Sequence, residues 1–123
     1  MPPQTYDWRR RFSDKTASYT VTQADSGTVF TNRGDTDAIT FTLPAVSASF
    51  TGCVYDFYAI ADFSLAVACA TADEMVVFNS VTATSAKFAT ASEIIGGRFQ
   101  AMCDGTKWLV TIMAEETATV TVA

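Results

Sequence analysis

The fold of this chain is decided by residues 19–44, which read YTVTQADSGTVFTNRGDTDAITFTLP. Two polar segments that contain glycine, 24–27 and 33–35, separate three short runs. Glycine adopts positive φ without steric cost and Asp or Asn side chains bond their own backbone, so both segments favour turns. In the third run, residues 39–43, apolar residues alternate with threonine, which is the period of a half-buried strand, and Pro44 ends it. The stretch therefore predicts three strands and two turns.

A second strong signal lies near the end of the chain, where Asp104-Gly105 separates two alternating runs, 98–103 and 106–113. Asp-Gly in this setting is typical of a two-residue hairpin turn. Such a turn would pair Cys103 with Thr106 and Ala101 with Trp108. That register places an apolar set on one face of the hairpin, namely Phe99, Ala101, Cys103, Trp108 and Val110.

The rest of the chain also favours strands. Apolar or alternating runs predict strands within 53–61, 64–69, 75–78 and 118–122, and residues 80–90 form weakly specified strand and loop. The run 53–61 is apolar on both faces, which indicates a strand covered on both sides, inside a sandwich or at a subunit interface. No segment has the period of an amphipathic helix. We therefore expect an all-β fold, an antiparallel sandwich or barrel-like (jelly-roll-like) domain over residues 17–123.

Residues 1–16 differ from this domain in pattern and charge. They contain two prolines and no strand alternation, which indicates an extended N-terminal arm. A docking arm and a loosely packed chain end are both consistent with this composition. Aromatic and arginine side chains of the kind enriched in interfaces make the arm the candidate contact with a partner or with another subunit, through Tyr6, Trp8, Arg9, Arg10, Arg11 and Phe12.

Composition restricts the class of partner. Of the 123 residues, 49% are hydrophobic and 17% are charged, so part of the surface is expected to be covered by other copies or by a partner. Residues 1–16 carry four basic and two acidic side chains, whereas residues 17–123 carry four basic and eleven acidic ones. An acidic domain is a poor nucleic-acid ligand, and no apolar run is long enough to span a bilayer. We expect neither nucleic acid nor membrane as a partner.

Catalytic and metal-binding patterns are missing from the sequence. The chain has no histidine, which removes the commonest general base and most zinc sites, and it has no glycine-rich phosphate loop. We expect no enzyme activity, no cofactor and no metal. Arg33-Gly34-Asp35 matches an integrin-binding tripeptide, but a β-turn explains it more simply. The three cysteines, at 53, 69 and 103, lie in apolar strand patterns and are expected to be buried free thiols.

Three segments in this order resemble a phage module found in capsid decoration (cement) proteins and in head and tail fibres. They are 19–32, 39–44 and 103–108, which together span about three-quarters of the chain. The resemblance implies an all-β, usually trimeric domain without enzymatic activity. Residues 1–16, the aromatic run 53–63 and the tail after residue 113 depart from the family pattern.

Because the chain starts at Met1 and shows no repetitive shaft, the resemblance favours a free-standing decoration protein. We expect a structural virion protein that binds the outer capsid surface as a homotrimer, with the major capsid protein and itself as partners. The alternative is a receptor-binding (adhesin) domain of a phage head or tail fibre, which contacts a host glycan or protein through loops. Deletion of residues 1–16 is expected to leave a folded β domain but to abolish shell binding or weaken the trimers.

Overall fold

A computed structural model describes residues 9–113 and 120–123 of the chain. Within these ranges the chain forms β-strands joined by turns, with two short 3-10 turns at Gln23–Asp25 and Ala48–Phe50. The all-β prediction is confirmed. The strands are β1 (Arg11–Asp14), β2 (Tyr19–Thr20), β3 (Thr28–Thr31), β4 (Ile39–Leu43), β5 (Val54–Tyr58), β6 (Leu65–Cys69), β7 (Met75–Val77), β8 (Ser80–Ala83), β9 (Ser85–Phe88), β10 (Arg98–Cys103), β11 (Trp108–Met113) and β12 (Val120–Val122).

The strands form two sheets. One has seven strands in the order β1-β3-β5-β10-β11-β7-β8, and the other has five in the order β12-β9-β6-β4-β2. From β1 to β6 the chain alternates between the two sheets at every strand. From β3 onward, each of these strands therefore lies beside the strand two positions before it in the chain and runs in the same direction. The pairs β1-β3, β3-β5, β2-β4 and β4-β6 are accordingly parallel. The expectation of an antiparallel domain is wrong in this respect, because both sheets are mixed.

The core lies between the two sheets and is rich in aromatic rings. In β4, Ile39, Phe41 and Leu43 are buried and the intervening threonines are half-buried, which confirms the alternation of this strand. The Phe41 ring lies 4.8 Å from that of Phe57 in the opposite sheet. Each such side chain contributes about 1.5–3 kcal/mol on burial. This packing fixes which face of each sheet points away from the core.

The β10-β11 hairpin has a longer loop than the sequence suggested. Cys103 pairs with Trp108 and Ala101 with Val110, so the loop contains the four residues 104–107 and the predicted register is wrong by two positions. Asp104 Oδ1 accepts the backbone N–H groups of Thr106 (2.8 Å) and Lys107 (2.7 Å), which stabilises the wider loop. A shift of two positions keeps every side chain on its face. The predicted apolar face is therefore the buried one.

The described part of the N-terminal segment is joined to the domain. Strand β1 lies at the edge of the seven-stranded sheet and pairs with β3 in parallel. Its backbone hydrogen bonds need no alternation of side chains, which explains why residues 11–14 show no strand pattern in the sequence. An arm that ends at residue 16 would thus include one strand of the sheet.

The three cysteines are buried and free, as predicted. Cys53 and Cys103 point into the core from neighbouring strands, and Cys69 ends β6 in the other sheet. Burial raises the pKa of the Cys69 thiol to about 12, and the nearby Glu74 carboxylate adds to that rise.

Candidate functional site

The face of the seven-stranded sheet that points away from the core is unusually apolar. Strand register aligns two rows of side chains across it, one through Phe12, Val29 and Asp56, the other through Tyr58, Arg98 and Met113. Five large apolar side chains on this face are exposed by 38% to 71%, and we call them the outer face: Phe12, Tyr58, Met102, Leu109 and Met113. Several large exposed apolar side chains on one sheet face are typical of an interaction site.

A groove of about 350 Å³ opens at one end of this face, over β1, β3, β5 and β10. Its volume lies in the range of small ligand pockets. The walls are mainly apolar, with one acidic and two basic side chains among them. The residues that line it are Arg10, Phe12, Val29, Asp56, Tyr58, Ile60 and Arg98.

A buried ion pair forms one wall of the groove. Arg10 contacts the Asp56 carboxylate, with 2.5 Å between Nη2 and Oδ2, and Arg10 Nε donates to the Gly27 carbonyl at 2.6 Å. The Asp56 side chain is only 4% exposed and the Arg10 side chain is 41% exposed. Among the described residues, nothing donates to the other carboxylate oxygen, Asp56 Oδ1. A buried carboxylate without a cation is strongly destabilising, so this ion pair holds the residues just before β1 against the sheet.

Arg98 gives the groove its second positive charge. Its guanidinium contacts the Met113 sulfur at 2.7 Å, and no carboxylate within residues 9–113 and 120–123 pairs with it. With the charges of Arg10 and Asp56 balanced, the described lining residues of the groove carry one net positive charge, whereas residues 17–123 as a whole are acidic. An apolar group flanked by negative charge is the best match for it.

The predicted contact residues fall into three groups. Tyr6 and Trp8 lie outside the described residues. Arg9 and Arg10 are exposed and lie directly before β1. Arg11, the first residue of β1, donates to the carbonyls of Ala24 (3.3 Å) and Ser26 (2.6 Å) of its own chain. Phe12 is 71% exposed and lines the groove. The structure thus brings Arg10 and Phe12 together and uses Arg11 to hold the 24–27 turn.

The sequence did not identify Asp56, Tyr58, Ile60 or Arg98 as site residues. Their alignment depends on the parallel pairing of β3 with β5, which joins segments far apart in the chain. One signal was available, since Asp56 is an acid in the middle of an apolar run. A charge at that position requires a partner, and the nearest excess of positive charge in the sequence lies in residues 9–11.

The Arg33-Gly34-Asp35 segment is a turn, as predicted. Gly34 has a φ of 81°, and the Asp35 N–H donates to the Asn32 carbonyl at 3.0 Å. Asp35 is buried, with Oδ1 accepting the Asp37 N–H at 3.2 Å, so its carboxylate is turned toward its own backbone. This buried side chain does not present the tripeptide to a receptor.

Two further searches bear on the kind of site. Within residues 9–113 and 120–123, no group of three or more Cys, Asp or Glu side chains is placed to hold a metal ion. The same ranges include no helix with the length and apolarity to cross a bilayer.

The chain was also compared with known proteins. A scan against protein-family models found no matching family, and a search of curated proteins found no matching sequence.

Proposed function

We propose that this chain is a structural virion protein that decorates a phage capsid from the outside, as a trimer, and stabilises the shell. The outer face carries the proposal: a small acidic domain that leaves Phe12, Tyr58, Met102, Leu109 and Met113 exposed on one sheet face has a surface suited to assembly. The ordered resemblance of segments 19–32, 39–44 and 103–108 to decoration modules supports the same assignment.

Stabilisation would follow from mass action. A protein that bridges neighbouring capsid subunits binds only the assembled shell, so it raises the free energy needed to break that shell. Three copies related by a threefold axis match a threefold or quasi-threefold site on the lattice and gain avidity from simultaneous contacts. No covalent chemistry is required.

The basic N-terminal segment is the proposed contact with the shell. Residues 1–16 carry a net charge of +2 and the rest of the chain −7, so the segment can approach an acidic shell that repels the domain. Because Arg10 and Arg11 are bonded within their own chain, we assign the shell contact to Tyr6 and Trp8 in residues 1–8, and the positive charge of the whole segment favours its approach to the shell.

The test is co-sedimentation of the purified protein with empty shells assembled from the major capsid protein encoded in the same genome. We expect saturable binding in multiples of three copies. A variant that lacks residues 1–8 keeps β1 and the Arg10–Asp56 pair, so it should fold normally and bind the shell at least tenfold more weakly. This truncation is sharper than removal of residues 1–16, which would also strip β1 from β3.

Normal shell binding by the truncated protein would refute the role of the segment. No binding by the full chain, together with binding to host cells or their glycans, would replace the proposal with the receptor-binding alternative. Circular dichroism of both proteins provides the control for folding.

A further inference from the structure

The tip of the β7-β8 hairpin carries an exposed aromatic side chain in a strained conformation. Val77 pairs with Ser80, which leaves Phe78 and Asn79 as a two-residue turn with φ values of 45° and 62°. Asn tolerates such values, but a bulky residue such as Phe adopts them only with backbone strain. Phe78 is 62% exposed, so packing within the described chain does not offset that strain.

The groove described above is an apolar recess at the other end of the same sheet. Four strand spacings separate β8 from β5, the strand that carries Tyr58, which at about 4.8 Å each is roughly 19 Å, and the nearest strand under the groove, β10, is three spacings away. The hairpin tip therefore cannot reach the groove of its own chain. A volume of about 350 Å³ is large enough for a benzyl group with room for its neighbours.

Charge favours a match between the two surfaces. The hairpin residues 75–83 include no charged side chain, and the two residues before them, Asp73 and Glu74, are acidic. The groove has one net positive charge, from Arg98. Entry of the tip would bury no unpaired charge of its own and would bring negative charge to the positive side of the groove.

The available area also suits a closed assembly. Phe78 and Val81 on the hairpin, with Phe12, Tyr58 and Met113 at the groove, offer roughly 500 Å² of exposed surface, since one aromatic side chain covers 150–250 Å². A stable isolated pair needs about 1,200 Å² in total. One such contact is too small on this measure, but in a closed ring every chain makes two contacts and dissociates only when both are broken.

We propose that Phe78 of one copy inserts into the groove between Phe12, Tyr58 and Ile60 of the next copy. The contact uses different surfaces on its two sides, so it is heterologous and generates a ring when the rotation closes. It rests on the trimer of the proposed function and supplies its interface.

The first test is the mass in solution of three variants, measured by light scattering. Phe78→Asn removes the phenyl group and relieves the backbone strain. At dilutions where both proteins are monomeric the variant should melt no lower than the native chain, whereas its trimer should form at least tenfold more weakly. Tyr58→Lys places a charge in the groove and should have the same effect on association. Ile95→Asn is the matched control, because Ile95 is similarly exposed (59%) but belongs neither to the hairpin nor to the lining of the groove, and it should leave the mass unchanged.

The second test is covalent capture. The double variant Phe78→Cys/Tyr58→Cys, oxidised mildly with copper phenanthroline, should yield a disulfide-linked trimer on a non-reducing gel, whereas Phe78→Cys/Ile95→Cys should not. Each bond joins two thiols and transfers two electrons and two protons to the oxidant. The three native cysteines are buried, and the single variants Phe78→Cys and Tyr58→Cys measure the background of cross-linking through them.

The outcomes separate this inference from the proposed function. A native trimer that persists in Phe78→Asn, or equal capture in the control, overturns the Phe78 contact and leaves shell decoration standing. A trimer that depends on Phe78 but does not bind shells supports the contact and refutes decoration. A native chain that stays monomeric at all concentrations overturns the contact and the trimer together.

Discussion

Replacement of Arg10 by methionine is expected to destabilise the domain by about 3 kcal/mol. The change removes the cation that lies 2.5 Å from the Asp56 carboxylate, and the carboxylate side chain is 4% exposed. Removal of one partner from a fully buried ion pair costs about 3–5 kcal/mol. Because the Arg10 side chain is 41% exposed and solvent screens it, the lower end of that range applies.

The measurement is urea denaturation followed by tryptophan fluorescence, with thermal melting as a second observable. For a domain of this size about 3 kcal/mol corresponds to a drop of roughly 12 °C in Tm. Arg11→Met is the matched control: Arg11 also bonds carbonyls of the 24–27 turn but touches no carboxylate, so its loss should cost about 1 kcal/mol.

A double variant isolates the buried charge. Arg10→Met/Asp56→Leu leaves no uncompensated carboxylate, and we expect it to be at least as stable as Arg10→Met alone and to recover 1–2 kcal/mol or more. If Arg10→Met costs no more than Arg11→Met, the pair behaves as a surface contact and the reasoning about the groove wall is refuted.

Three further predictions concern the interior. The free energy of unfolding should fall as the pH rises from 9 to 12. Burial raises the pKa of Tyr55 above 10 and that of Cys69 to about 12, so these groups ionise in the unfolded chain before they ionise in the folded one. Urea midpoints measured across this pH range test the prediction, and midpoints that do not change would contradict it. Tyr19→Phe should destabilise the domain near neutral pH, since burial tends to raise the pKa of Asp25 but hydrogen bonds from Tyr19 (2.7 Å) and Thr22 lower it overall. This contribution is lost as the carboxylate protonates below about pH 4, so urea midpoints of native and variant proteins should differ at about pH 7 and converge in acid, and a difference that persists in acid would contradict it. Gly97→Ala should cost about 1–3 kcal/mol, because a Cβ there would lie 2.8 Å from the Phe88 ring, which is stacked on Phe99; an unchanged melting temperature would show that the ring moves aside.

The sequence predicted local structure well where one face of a strand is buried. Alternation in residues 39–43 and in the two runs around Asp104-Gly105 located β4, β10 and β11, since the two-residue period of a strand follows from its own side chains. The hairpin register was wrong by two positions for a local reason as well: the Asp104 side chain accepts two backbone N–H groups and opens the turn.

The parallel pairing could not be predicted in the same way. Whether β3 pairs with β5 depends on β4 lying in the other sheet, and no pattern within β3 or β5 encodes that. The groove depends on this pairing, so its members were predicted only in part. Arg10 and Phe12 were identified by composition, whereas Asp56, Tyr58 and Arg98 come together only through the sheet.

The most direct test of shell decoration is the temperature at which empty shells break, with and without the purified protein. The account predicts that the disruption temperature rises with added protein and stops rising when three copies occupy each threefold or quasi-threefold site of the lattice. A disruption temperature that does not change at saturating protein would contradict the claim that this chain stabilises a capsid.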